Sequence, residues 1–218
     1  MHFTTSASTS HAEVTAESLA ELDHRIGLLE DEAQIENVHA MYGYYLATFE
    51  WDALTNLFAS DGTIEIALRG VYTGKASVRR NLNLYGQQGL DAGILHNHMQ
   101  YQPVIDVAPD GQTARMRSRA FSMMGVFGKS AQWMGGVYEN LFVKVDGAWR
   151  IKQDHVVNTY FAPYDVGWKD LAARPAPGIT ATNPPDGPPS MQFEMFPRPF
   201  LPPYHYDNPV TGQAVKAQ

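Results

Sequence analysis

The second half of the chain carries a series of long alternating runs, and these set the fold class. In residues 113–126, Arg115, Arg117 and Arg119 alternate with Ala114, Met116, Ser118 and Ala120. Successive side chains of a strand point to opposite faces, so this segment reads as one long strand with a charged and an uncharged face. Residues 133–145 form a second run ending at Asp146-Gly147, a pair suited to the positive φ angles of a tight hairpin. Residues 149–159 then pair back across that turn. A further run, residues 96–107, comes first and ends at Pro109-Asp110-Gly111. Strands usually have about 5–6 residues, so four strands this long give a strongly twisted, curled antiparallel sheet.

The first half is helical. Leu19, Leu22, Ile26 and Leu29 share one helix face, and Asp31 can either cap that helix or continue it. Ile35, Val38, Met41, Tyr42, Tyr45, Leu46 and Phe49 share the next face. Gly43 in their midst implies close packing. A short helix is expected from Trp51 through Leu57 and Phe58, a turn at Asp61-Gly62, a strand over 63–68 and a third helix over 75–85. Helices followed by a strand meander make an α+β fold, with the helices closing the curled sheet into a cone around one internal cavity. Most of the 14 Pro lie from Pro175 onward, among Phe193, Phe196, Phe200, Tyr204 and Tyr206. We therefore expect a loosely packed N-terminus over 1–15, one domain over 16–168 and an ordered Pro/aromatic arm over 169–218. The arm is expected to pack on the domain as a wall or lid of the cavity, or on a neighbouring subunit.

Composition narrows the function. Sixteen basic residues against 23 acidic leave a net charge of −7, which supplies no electrostatic footprint for nucleic acid. Cysteine is absent, so thiolate chemistry, disulfides and Cys-ligated metals are excluded. No apolar run is long enough to span a membrane, and no secretory signal is readable, so the expected location is the cytoplasm. Glycine-rich nucleotide motifs and a G-x-S-x-G elbow are missing.

The ordered set Tyr42-Gly43-Tyr44-Tyr45, Trp51-Asp52-Ala53-Leu54, Phe58-Ala59-Ser60-Asp61-Gly62, Gly70-Val71-Tyr72-Thr73-Gly74, His96-Asn97-His98, Gly136-Val137-Tyr138-Glu139-Asn140 and Asp146-Gly147-Ala148-Trp149-Arg150-Ile151 spans residues 30–160. It resembles the SnoaL-like branch of the NTF2-like superfamily, which includes scytalone dehydratase. The resemblance implies the cone fold, a homodimer or higher homo-oligomer assembled through the sheet, and cofactor-independent lyases, dehydratases, isomerases or cyclases acting on aromatic or polycyclic substrates. Many members of that superfamily bind ligands without catalysing anything. The length and the Pro/aromatic tail are similar to bacterial cofactorless lyases that release formaldehyde from lignin-derived diarylpropanes or phenylcoumarans.

His96 and His98, two apart on a strand, point to the same face. They make an incomplete metal pair that would need a third ligand such as His155 or Glu139, so no metal is assigned. The alternatives are an acid/base histidine or a histidine held by the backbone. The resemblance favours His98 as the catalytic member and His96 as a substrate contact. His155 shares the parity of Trp149 and Ile151, and faces the cavity if they do. Tyr42 and Tyr45 share a helix face, either lining the cavity as proton donors or packing in the core. Glu65 faces opposite to Ile64 and Ile66; it is a buried base only if those two are not core. Trp133 is a candidate cavity wall, and the arginine stripe is a solvated or interface face. The resemblance implies that Asn140 contacts substrate. The expected function is a cofactor-independent acid/base lyase using His98, Tyr42 and His155 on a small aromatic substrate, with Asn140, Tyr45, His96, Trp133 and Glu65 binding it. Release of formaldehyde from a diarylpropane diol to give a stilbene is the finest form of this expectation. Alternatives are a dehydratase or isomerase of a polyketide- or steroid-like ring, and a non-catalytic ligand-binding dimer.

Overall fold

A computed structural model describes residues 15–215, so the expectation for the N-terminus falls almost wholly outside the described residues. The elements are α1 (Ala16–Thr48), α2 (Trp51–Asn56), β1 (Phe58–Ile66), β2 (Val71–Thr73), α3 (Lys75–Leu82), β3 (Ile94–Val107), β4 (Thr113–Val126), β5 (Ser130–Val145) and β6 (Ala148–Pro163). One sheet contains all six strands in the order β2-β1-β6-β5-β4-β3. The β3-β4-β5-β6 meander is antiparallel throughout, and β1 joins β6 in parallel. The sheet curls without closing, and α1 packs across its concave face against β3 and β6.

The two helical runs of the sequence are one helix of 33 residues. A capping box of Thr15 and Ser18 starts it. Asp31 does not interrupt it, because its carboxylate serves tertiary structure instead. It accepts hydrogen bonds from Trp149 Nε1 at 2.8 Å and Lys144 Nζ at 2.7 Å, tying the helix to the β5–β6 hairpin. At Gly43 α1 packs close against β3, and a Cβ there would lie 2.5 Å from Gln100 Oε1. The second helix stops at Asn56, two residues earlier than expected, and Asp61-Gly62 is an irregular stretch within β1 rather than a turn. The third helix also ends early, at Leu82.

The core lies between the helices and the concave face. Trp51, Tyr42, Tyr138, Phe58, Phe142, Ile64 and Ile151 are all fully buried there. Each such side chain contributes about 1.5–3 kcal/mol relative to exposure.

Two irregularities in β6 decide which residues face inward. Leu141 pairs with Gln153 but Phe142 with Ile151, so Lys152 is an extra residue. Gly135 pairs with Tyr160 but Gly136 with Asn158, so Thr159 is another. Each bulge shifts strand parity by one. Trp149 and Ile151 face inward, yet after Lys152 the inward set becomes Asp154, Val156 and Asn158.

The Pro/aromatic arm is packed on the convex face. Phe193, Met195 and Ala176 cover Ala67 and Val157. Further along, Arg117 donates to the carbonyls of Pro202 and Pro203 and lies over the Tyr204 ring, while Glu139 pairs with Arg117 at 2.6 Å. His205 stands between Glu139 and Asp106. The middle of the arginine stripe is therefore buried under the chain's own arm.

Candidate active site

β3, β4, β5 and β6 bring a set of polar side chains onto the concave face beneath α1. His98 is hydrogen-bonded through Nε2 to the Tyr138 hydroxyl at 2.7 Å and through Nδ1 to Ser122 Oγ at 2.6 Å. Both ring nitrogens are thus engaged. His39, from α1, is bonded to Ser118 Oγ at 2.8 Å. Asp154 is fully buried and accepts from the Tyr42 hydroxyl at 3.0 Å and from Asn140 Nδ2 at 2.9 Å. The Tyr138 ring stands edge-on to both Tyr42 and His98.

Burial sets the protonation states. It lowers His98 to about 3, helped by the neighbouring charges of His96 and His39, and lowers His39 to about 3. Both imidazoles are neutral at physiological pH. Burial also pushes Tyr42 and Tyr138 well above the usual phenol range, with the Asp154 charge adding to it. Asp154 itself is raised to about 7 by burial, against the stabilising hydrogen bonds of Tyr42 and Asn140. It is the member of this network that titrates near neutrality.

That shift has a sign. A carboxyl raised from 3.8 to about 7 binds a proton on folding, so its contribution is full below 3.8 and is lost as pH rises through 7. Asp154→Asn has the shape of the protonated form; its amide oxygen can accept from Asn140 and its amide NH2 can donate to the Tyr42 hydroxyl oxygen. Its stability relative to wild type is expected to increase by about 3 kcal/mol between about pH 5 and pH 8. Urea denaturation at the two pH values reads this directly; a constant difference would contradict the assignment.

A cavity of about 150 Å³ opens beside this network. Leu46, Ile66, Met124, Met134, Val156 and Phe161 give it apolar walls, and His96, His98, Tyr138, Asn158, Gln132, Arg69 and Tyr85 supply polar groups. His96 Nδ1 donates to the carbonyl of Leu46 at 3.2 Å, which fixes the neutral tautomer and leaves Nε2 with its lone pair. Burial lowers the His96 pKa, partly offset by that backbone bond. Asn158 is 1% exposed, and neither its Oδ1 nor its Nδ2 meets a partner. A buried amide in that state lacks about 1–3 kcal/mol of compensation, and its place in the cavity lining makes it a candidate ligand contact. Arg69 donates to the Tyr85 hydroxyl at the cavity wall. A groove of about 400 Å³ between α1 and β3 reaches His98 and His39 from the other side. The larger groove on the convex side, about 820 Å³, is lined by neither histidine nor tyrosine and offers no comparable chemistry.

The residues singled out from sequence divide into three groups. His96 and His98 line the cavity. Tyr42, Tyr45 and Asn140 sit on the inner side without lining it. Tyr42 is held by Asp154, Tyr45 packs against the core, and Asn140 bridges Asp154 and the backbone N–H of His155. His155, Glu65 and Trp133 are on the convex face, which corrects their expected place. His155 changes side because of the bulge at Lys152. Its Nε2 lies 3.9 Å from Glu65 Oε2, its pKa is lowered by burial against the pull of Glu65 and Glu139, and the arm covers the pair. Glu65 is buried although Ile64 and Ile66 are core, because Ser190 of the arm donates to its Oε1 at 2.7 Å. Trp133 stacks between Phe121 and Tyr164. The arm contributes no residue to the cavity among those described, so it is not the expected wall.

Sequence reasoning missed Asp154, Tyr138, Asn158, Arg69 and His39. Tyr138 was within reach, since it shares the parity of Asn140. Asp154 and Asn158 were hidden by the bulges.

Comparison with known proteins agrees with this architecture. A candidate scytalone dehydratase of Novosphingobium aromaticivorans superposes with a TM-score of 0.56 at 23% identity, over 71% of this chain and 97% of that one. The hexachlorocyclohexane dehydrochlorinase LinA-type3 of Novosphingobium barchaimii superposes with a TM-score of 0.55 at 14% identity, over 64% and 93%. An NTF2-like protein with a cystatin-like fold from N. aromaticivorans gives 0.51 at 21% identity, over 66% and 90%. No curated protein sequence matches the chain. The SnoaL-like domain matches residues 28–154, more than half of the chain and all of β1 to β5, and the protein belongs to that family.

Proposed function

We propose that this protein is a cofactor-independent acid/base enzyme that eliminates a small leaving group from a ring-bearing, largely apolar substrate. One observation carries the proposal. The Leu46 carbonyl fixes the His96 tautomer, so Nε2 keeps its lone pair on a ring that lines the cavity, and the same cavity holds an unpartnered buried amide, Asn158. His96 removes a proton from substrate. The C–O bond to the leaving group breaks as the C=C bond forms, and Tyr138 protonates the departing oxygen. The proton returns to Tyr138 from His96 through solvent. Asn158 donates to and accepts from a substrate hydroxyl or carbonyl, and Arg69 faces any anionic oxygen at the wall. Proton transfers are all that this chemistry needs. The SnoaL-like fold and its likeness to a candidate dehydratase and a dehydrochlorinase support an elimination.

The cavity volume, about 150 Å³, falls below the roughly 300–1,000 Å³ of sites for drug-sized ligands. It favours a single-ring substrate. A two-ring diarylpropane diol requires the wall at Arg69 and Tyr85 to open. That finer reading, formaldehyde release, rests on chain length and the Pro/aromatic arm. Incubation with single-ring phenolic alcohols and with a para-hydroxylated diarylpropane diol, scored for a conjugated alkene and for formaldehyde, separates the two. An absence of turnover with both classes would sink the lyase reading.

Asn158→Leu gives a test with opposite signs. Removing an unpaired buried amide is expected to stabilise the fold by about 1–3 kcal/mol. Removing a substrate contact is expected to lower kcat/KM by at least about tenfold. A variant that loses stability, or keeps full activity, would show Asn158 to be structural.

A further inference from the structure

The first four turns of α1 extend beyond the body of the domain. Asp31 is the first buried residue of the helix. Before it, Leu19, Leu22, Ile26 and Leu29 are 55%, 50%, 46% and 65% exposed. Their spacing of three, four and three residues is the a-d-a-d pattern of a heptad seam. A single exposed leucine needs no explanation, but four in one stripe mark an interface.

We propose that this seam pairs with the same seam of a second copy, in a parallel two-stranded coiled coil that makes the protein a homodimer. The core residues fit two strands, with Ile26 at an a position between Leu22 and Leu29 at d positions. Ala33 continues the a positions and is exposed, whereas the next d position is the exposed Glu36, so the seam ends at Ala33 and the helices part as they enter the two domains. The flanking charges choose the direction. Arg25 occupies a g position and Glu30 the e position of the next heptad. In a parallel pair, Arg25 of each copy faces Glu30 of the other, giving two symmetric ion pairs. In an antiparallel pair, g faces g and e faces e, which sets Arg25 against Arg25 and the acidic Asp23 and Glu30 against each other. The convex sheet face is unavailable where the arm covers it, at Glu65, His155, Arg117 and Val157.

Sedimentation velocity on the full chain over a concentration series tests this. Wild type is expected to be a dimer that dissociates on dilution. Leu22→Asp with Leu29→Asp, both at exposed sites, is expected to raise the dissociation constant by at least about 100-fold with an unchanged circular dichroism spectrum. Arg25→Glu is expected to raise it by about tenfold, and Arg25→Glu with Glu30→Arg to restore it to within about threefold. The chain has no cysteine, so Leu29→Cys adds a single thiol. It is expected to form a covalent dimer on mild oxidation, because d faces d only in the parallel arrangement. A monomeric wild type at the highest soluble concentration would overturn the proposal. So would a dimer that survives the double aspartate variant, a charge swap no better than Arg25→Glu alone, or no cross-link through Leu29→Cys.

Discussion

Replacing His96 by alanine is expected to lower kcat/KM for the eliminated substrate by about 10²–10⁴-fold, the usual contribution of a positioned general base. The geometry gives the reason. His98 commits one nitrogen to Tyr138 and the other to Ser122, and burial holds its pKa at about 3. It can orient Tyr138 but has no free lone pair for substrate. His96 has one, because its other nitrogen donates to the Leu46 carbonyl. The ring is packed against Phe49 and Tyr85, so alanine also leaves a hole. His96→Asn separates the two effects. Its side-chain amide can still donate to Leu46, yet it offers no base. Equal losses in both variants, with wild-type thermal stability in His96→Asn, would assign the loss to proton transfer. Retention of more than about a tenth of the activity in His96→Asn would remove His96 from the role of base.

The second large effect is on stability in acid. His39 and His98 are each lowered from 6.5 to about 3 by burial. A histidine with a depressed folded pKa contributes its stability above the unfolded value and loses it as pH falls toward the folded one. At about pH 4 each costs about 3 kcal/mol, and the pair removes much of a typical total of about 5–15 kcal/mol. Asp154 works in the opposite direction over the same range, since folding binds one proton there. Two histidine protons on the unfolded chain outnumber that one, so net stability falls toward acid. Urea unfolding from pH 7 to pH 4.5 should show the midpoint moving steadily lower. In His39→Gln with His98→Gln that decline, compared independently of the absolute stability, should disappear, because the proton that Asp154 binds on folding then acts toward greater stability in acid. A wild-type midpoint that does not move with pH would show that the two imidazoles are solvated.

The β-meander and the cone were legible because alternation over residues 113–126 and 133–145 and the Asp146-Gly147 turn leave few alternatives. That His96 and His98 share one face of β3 was legible for the same reason, but which face lines the cavity was not; the structure turns both inward. The last strand was not legible. Counting by twos from Trp149 puts His155 inside and Asp154 outside, and the extra residue at Lys152 reverses both. Bulges of this kind depend on how a neighbouring strand twists, so no local residue pattern announces them. Glu65 failed differently. A strand between an apolar core and solvent has one polar face, but here the arm turns that face into a second buried layer. Residues more than 100 positions away, such as Ser190, decide its environment. The continuous α1 was missed because Asp31 looks like a cap by type, while its carboxylate is used by Trp149 and Lys144.

The nitrogen NMR spectrum of histidine-labelled protein, recorded from about pH 7.5 to pH 5.5, tests the central claim most directly. The account predicts that the His96 signals, identified by their loss in His96→Asn, report a neutral ring protonated on Nδ1. They should stay neutral as the pH falls through about 6.5, the ordinary histidine value. Addition of a bound phenolic substrate analogue should then perturb Nε2 and leave Nδ1 nearly unchanged. A proton on Nε2 in the free protein, or titration at the ordinary value, would contradict a base held ready by the Leu46 carbonyl.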